Sequence, residues 1–334
     1  MSENRETCIA VDAMSGDGAC RVTVPGALRA LRADPRLRLV LVGEPDAITN
    51  TLGAAGRDLR DRIEVEPATS TLPMEVGAAR ALRSGRGSSM QHALELAVSG
   101  RARAVVSGGN TGALMALSRQ AMGMLPGIER PALMAAIPGV GESVWMLDLG
   151  ANVGVDAQRL LEFARLGGIA VRVLSGREPR VGLLNIGHEP SKGPDVLREA
   201  ARLMEAEHDV NYCGFVEADG VFSGVVDLLV CDGFAGNVLL KSAEGMARLM
   251  FARMRQSLGR GPAGWLAARH LKALHDRLDP AVHNGAPLLG VQGTVIKSHG
   301  SACERGFEAA IALAALEARR DLVSRLEQQL WASY

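Results

Sequence analysis

A mostly parallel, doubly wound α/β sheet with helices on both faces is the fold this sequence predicts, on three observations. Short β-branched or apolar runs alternate with amphipathic stretches of helical length, the order that builds a parallel sheet covered on both sides. Several runs end in a glycine turn that leads into a helix, as AVVS does into GGNTGALMAL and LLVC into DGFAGNVLLK. The composition, 47% hydrophobic with 39 glycines but only 3% aromatic, suits close helix-on-sheet layers better than an aromatic nucleic-acid platform.

In chain order, the apolar run 8–12 predicts the first strand and 25–32 a helix beginning at Pro25. Runs 37–42 and 62–66 predict strands, 88–99 a helix, 104–107 a strand and 111–124 a helix. Two strands follow at 133–137 and 144–149, then a helix over 157–174, a strand at 181–185 and a helix over 194–207. Strands at 210–216 and 225–231 lead to helices over 237–258, 264–277 and 302–330. No Pro- or Ser-rich linker divides the chain, so residues 1–334 are expected to form one folded unit with room for two lobes and a helical hairpin at 244–280.

Charge and cysteine content remove several function classes. Lys plus Arg and Asp plus Glu each number 37, a formal net charge of zero, which argues against a general nucleic-acid binder. The five cysteines are odd in number, widely spaced and form no CxxC, which fits a reducing cytoplasm and disfavours a disulfide framework or zinc site. The polar start MSENRETC lacks a signal-peptide core, and no apolar run approaches the roughly 18 residues that span a bilayer, so membrane contact is expected to be peripheral.

The candidate chemistry lies in the glycine-rich segments: DAMSGDG from Asp12, GGNTGAL from Gly108, DLGANVG from Asp148, NIGHEPSKG from Asn185, DGFAGN from Asp232 and GVQGTVIKSHGS from Gly290. In a doubly wound sheet such turns are expected to converge on one crevice. They carry Asn110, Asn152, Lys192, Asn237, Lys297 and His299, donors suited to a phosphate or an oxyanion. Each alone has a structural alternative: an Asn in a glycine turn caps a helix, and a surface Lys is solvated. Asp12, Asp17, Asp148 and Asp232 are scattered without metal-loop spacing, and His270 and His275, five apart, miss a common helical face, so no metal is expected. A literal GxGxxG at Gly259, Gly261 and Gly264 follows an amphipathic stretch in place of a strand, which removes the main argument for a nicotinamide enzyme.

These segments, in this order, resemble the acyl-ACP:phosphate acyltransferase family. The matching stretches are IAVDAM with GD, SSMQHALEL, GNTGALMAL, IERPAL, LDLGANV, RVGLLNIG with a following KG, VDLLVCDGFAGNVLLK, and GAPLLG leading to VIKSHGS. The resemblance implies transfer of a fatty acyl group from acyl carrier protein to inorganic phosphate, giving acyl phosphate for phospholipid synthesis. It implies a homodimer with a fold similar to the isocitrate and isopropylmalate dehydrogenases, no cofactor and no metal. It assigns catalysis to the residues that match here as Lys192 and Asn237. The chain departs from the family pattern at Ser15, at MEVGAARAL, at Gly154 and Val155, and at His188, all outside those two positions.

On that reading Lys192 neutralises phosphate and Asn237 donates to the phosphate or the oxyanion. Asn110, Asp232, Gly233, Gly236, Lys297 and His299 are expected to support substrate binding. The hairpin is expected to carry Trp265 and Leu266 on an apolar tip, with Arg269 and Lys272 meeting anionic lipid or acidic carrier protein. The protein would then act in the cytoplasm, at the inner face of the membrane. Three alternatives stand beside it: a phosphotransacylase using acyl-CoA, a β-hydroxyacid dehydrogenase suggested by fold alone, and a non-catalytic membrane or carrier-protein adaptor.

Overall fold

The computed structural model describes residues 6–257 and 280–332. Four strands open the chain: β1 (Thr7–Asp12), β2 (Leu37–Gly43), β3 (Ile63–Pro67) and β4 (Ala104–Ser107). Between them lie α1 (Cys20–Ala33), α2 (Pro45–Leu52), α3 (Ala78–Ser84) and α4 (Ser89–Val98), with α5 (Thr111–Met122) after β4. The middle of the chain supplies β5 (Ala132–Ile137), β6 (Val144–Leu147), α6 (Ala157–Ser175), β7 (Val181–Leu184), α7 (Asp195–Ala206), β8 (Tyr212–Val216) and β9 (Leu228–Val230). Then come α8 (Gly233–Ser257), β10 (Ala286–Leu289), β11 (Thr294–Lys297), α9 (Glu304–Arg319) and α10 (Leu322–Ala332).

All eleven strands join one sheet in the order β3-β2-β1-β4-β11-β10-β5-β6-β9-β7-β8. The first five of these run parallel, and so do the last four. Three successive antiparallel pairings, β11 with β10, β10 with β5 and β5 with β6, separate the two sets and leave them running in opposite senses. Alternation along each strand sends side chains to two faces. Val105, Met146 and Leu229 enter a core with Leu94, Leu114 and Leu117. On the other face, Ile9, Leu39 and Val106 pack with Phe307, while Leu147 and Leu228 pack with Phe163 and Leu326. Burial on both sides explains why these strands read as continuous apolar runs.

Most predicted elements are present within a few residues, and the departures have local causes. The turn from Gly16 winds directly into α1 at Cys20, so Pro25 lies inside the helix in place of opening it. Strands β10 and β11 and helices α2 and α3 were not anticipated; each spans eight residues or fewer, and β10 and β11 lie in a glycine-punctuated stretch. The helix expected over 302–330 is two helices. Asp321, at φ 51°, breaks it, because α9 covers β1 and β4 whereas α10 carries Leu322, Leu326 and Leu330 onto α6. The helix expected over 264–277, and with it Trp265, Leu266, Arg269 and Lys272, lies outside the described residues.

Candidate active site

Strands β6, β9 and β7 are neighbours running the same way, so the turns after them stand side by side. After β7, the buried Asn185 organises the 185–193 loop: its Nδ2 donates to the Lys192 carbonyl at 3.2 Å and its Oδ1 accepts from the Ile186 N–H at 2.9 Å. Gly193 is required there, with φ at +77° and the Asn185 amide where a Cβ would go. The loop presents Lys192 exposed, and among the described residues no carboxylate lies within ion-pair distance of its ammonium. A cation held on a braced loop without a counter-charge is suited to an incoming anion.

After β9, the chain enters α8 sooner than its sequence suggests. Gly233 and Gly236 lie in the first turn of the helix because its backbone presses against the β6 turn: a Cβ on Gly236 would collide with the Asp148 carbonyl, and one on Gly233 with that of Asn152. Asn237 is thereby one turn inside the helix, where its Nδ2 donates to the Leu149 carbonyl at 3.0 Å and keeps its second proton for another acceptor. Asp232 braces the same junction. Its Oδ1 accepts from Phe234 N–H at 2.8 Å, and its Oδ2 from Gly154 N–H at 2.7 Å and Val155 N–H at 3.2 Å.

The residue beneath this site is Asp148, which the sequence marked only as an isolated carboxylate. It is fully buried at the end of β6, with Oδ1 accepting from the N–H groups of Leu133, Leu149 and Ala151 and Oδ2 from the N–H and Nδ2 of Asn152. Burial pushes its pKa up while these donors oppose the rise. Asn152 also donates to the Pro131 carbonyl at 2.9 Å.

Several expected substrate contacts are occupied internally. The Gly233 N–H donates to the Asn152 carbonyl, the Gly236 N–H to the Asp232 carbonyl, and the Asp232 carboxylate holds three N–H groups. Asp232, Gly233 and Gly236, together with Asn152, thus brace the turns of the candidate site.

Asn110, Lys297 and His299 belong to a second cluster, at the ends of the neighbouring strands β1, β4 and β11, and no hydrogen bond among the described residues joins it to the first. The turns form two groups on strand sets of opposite sense. Asn110 caps α5 through Oδ1, at 3.0 Å from the Ala113 nitrogen, and donates Nδ2 to the Met74 carbonyl at 2.7 Å. The exposed His299 ring turns back to its own loop, its Nδ1 2.9 Å from the Ser301 hydroxyl. Lys297 is buried, its ammonium donating to the Gly108 carbonyl at 3.4 Å and to that of Ser298. Burial lowers its pKa to about 8, against the opposing charges of Asp17 and Asp12. Asp12, also buried, accepts from the Ser107 hydroxyl at 2.7 Å. Ser15, the departure noted above, donates to the Asp12 carbonyl at 2.7 Å and accepts from the Gly108 N–H at 2.8 Å.

Among the described residues, no group of three or more His, Cys, Asp or Glu side chains is placed to hold a metal ion, and no helix is long and apolar enough to cross a membrane.

In fold, the chain is similar to a phosphotransacetylase from Streptococcus pyogenes (TM-score 0.63, 18% identity, 94% of each chain). It is also similar to the EutD phosphotransacetylase of Staphylococcus aureus (TM-score 0.61, 17% identity, 94% of each chain). A 4-hydroxythreonine-4-phosphate dehydrogenase from Klebsiella pneumoniae shares the same dehydrogenase-like architecture (TM-score 0.56, 14% identity, 95% of this chain and 99% of that one). Residues 7–325 match the family model described as fatty acid synthesis protein. The chain is 48% identical over 96% of each sequence to a phosphate acyltransferase of Pseudomonas savastanoi pv. phaseolicola, and 44% identical over 97% of each to one of Nitrosococcus oceani. Agreement of this extent in sequence, on a fold whose adjacent strand ends carry Lys192 and Asn237, makes the chain a member of the phosphate acyltransferase family.

Proposed function

We propose that this enzyme transfers a fatty acyl group from acyl carrier protein to inorganic phosphate, with Lys192 and Asn237 as its catalytic residues. The observation that supports this most directly is their placement beyond neighbouring parallel strands: an unpaired ammonium on a loop braced through the Lys192 carbonyl, and a spare amide proton on Asn237, whose side chain is held by the Leu149 carbonyl. Inorganic phosphate is partly dianionic at neutral pH, so its nucleophilic oxygen needs no strong base. One of its oxygens bonds to the thioester carbonyl carbon, the carbon–sulfur bond breaks, and the departing thiolate takes a proton from water. Lys192 offsets the phosphate charge, and the Asn237 amide donates to the oxyanion of the tetrahedral intermediate. Lys297 and Asn110, in the second cluster, are further candidate contacts for the substrate.

The reading extends to a homodimer that touches the inner membrane surface through the 244–280 region. The deciding experiment is phosphorolysis of long-chain acyl carrier protein by the purified enzyme, with EDTA present and no nucleotide. Appearance of acyl phosphate supports the proposal. Consumption of acyl-CoA but not of the carrier-bound thioester would replace the donor, and failure with both would refute it.

A further inference from the structure

Arginines on this surface are generally matched to carboxylates. Arg29 pairs with Glu308, Arg159 with Glu129 and Glu162, Arg165 with Glu207 and Arg180 with Asp227. Others, Arg21, Arg57, Arg60 and Arg130 among them, are exposed without such a partner, and four arginines of this unpaired kind lie on or beside two packed helices. Arg80 and Arg83, three apart on α3, share a face of the helix, Arg86 follows just beyond its end, and Arg119 lies in the last turn of the packed neighbour α5. All four are exposed, and among the described residues none has a carboxylate within ion-pair distance. Leu82, 43% exposed, lies on the same short helix, off the Arg80 and Arg83 face. In a chain of zero formal net charge, four uncompensated cations on or beside these two packed helices form a positive patch.

The patch is tethered to the second cluster of the candidate site. The segment leading into α3 places the Met74 carbonyl on the Asn110 amide at 2.7 Å, and the Met74 methyl group packs at Gly300, beside the turn that carries Lys297. A partner seated on α3 and α5 would therefore sit next to the turns of β4 and β11.

We infer that the Arg80, Arg83, Arg86 and Arg119 patch is the docking surface for the acidic face of the acyl carrier protein that delivers the thioester. This rests on the carrier-bound donor proposed above. Complementary charge commits the patch to an acidic protein. Rim charges of this kind act on encounter and on its salt dependence more than on the chemical step.

The test compares two donors in the full-length enzyme: acyl carrier protein loaded with a long-chain acyl group, and an uncharged acyl-pantetheine thioester. For R80E/R83E the expected result is a KM for the carrier donor raised at least tenfold, kcat changed less than twofold, a flattened salt dependence, and unchanged turnover of acyl-pantetheine. An unchanged carrier KM overturns the inference while leaving the carrier-donor reading intact. If the parent enzyme itself fails to consume the carrier-bound donor, that reading falls and the docking surface with it. Should the reversal variant melt early, R80Q/R119Q provides the same comparison: a carrier KM raised about threefold supports the dock, and an unchanged KM excludes it.

Discussion

Asn237 and Lys192 are held by different means, and their variants should fail differently. Asn237 lies inside α8 with half of its amide donors bound to Leu149, so Asn237→Ala removes the proposed oxyanion donor without freeing the helix. Turnover is expected to fall by ~10²–10³ with KM little changed, measured by acyl phosphate release. Lys192 is anchored through its backbone carbonyl, so Lys192→Ala should keep the loop and raise the phosphate KM as well as lowering kcat. Lys192→Arg should also be impaired, because a planar guanidinium does not replace a compact ammonium on that loop. For Lys297 the expectation concerns stability. Its folded pKa, about 8, is below the ordinary 10.5, so the unfolded chain binds more protons between those values and stability rises with pH across that window. Lys297→Met should therefore gain on the parent most at pH 7, by about 3 kcal/mol relative to its standing near pH 10.5, as read from melting curves.

At the scale of the element, α8 shows how the side chain proposed for catalysis is placed by residues that do no chemistry. Its glycine first turn permits the backbone approach that seats Asn237 over Leu149. Gly236→Ala should push the turn off Asp148 and cost about 1–3 kcal/mol, measured by denaturant unfolding, with a loss of activity exceeding the loss of folded protein. In α9, Glu317 is buried with its Oε1 unpartnered, and burial pushes its pKa up to about 8. A raised carboxyl contributes its full stability below about 4.5 and loses it as pH rises through 8, so Glu317→Gln should flatten the fall in melting temperature over that range. Continuous apolar runs such as IAVD and AVVS made most strands legible, since they are buried on both faces and have few alternatives. This signal failed for β10 and β11, which lie in a glycine-punctuated stretch and whose pairing depends on distant strands. Of the candidate site, the exposed placement of Lys192 on a glycine-rich turn was legible. The part that rests on burial was not: the five donors on Asp148 and the role of Asp232 as a brace come from strands and turns that only folding brings together.

For the whole molecule, the proposed membrane contact gives a direct expectation: Trp265→Glu with Leu266→Glu should abolish liposome sedimentation while leaving acyl phosphate synthesis in solution unchanged. A different consequence follows from the strand order. Strand β4 is made early, yet its inner neighbour β11 comes from residues 294–297, and α9, which covers β1 and β4, is later still. During synthesis the first four strands and their helices must therefore wait, with one flank of β4 unpaired, until residues 294–297 have left the ribosome. A chain ended after residue 285 should be unable to settle even its amino-terminal half, and should be recovered aggregated or degraded instead of as a smaller soluble domain. Conversely, supplying residues 286–334 as a separate peptide should rescue that fragment by completing its sheet, so that the tail acts as an internal chaperone for the part of the protein that was made first.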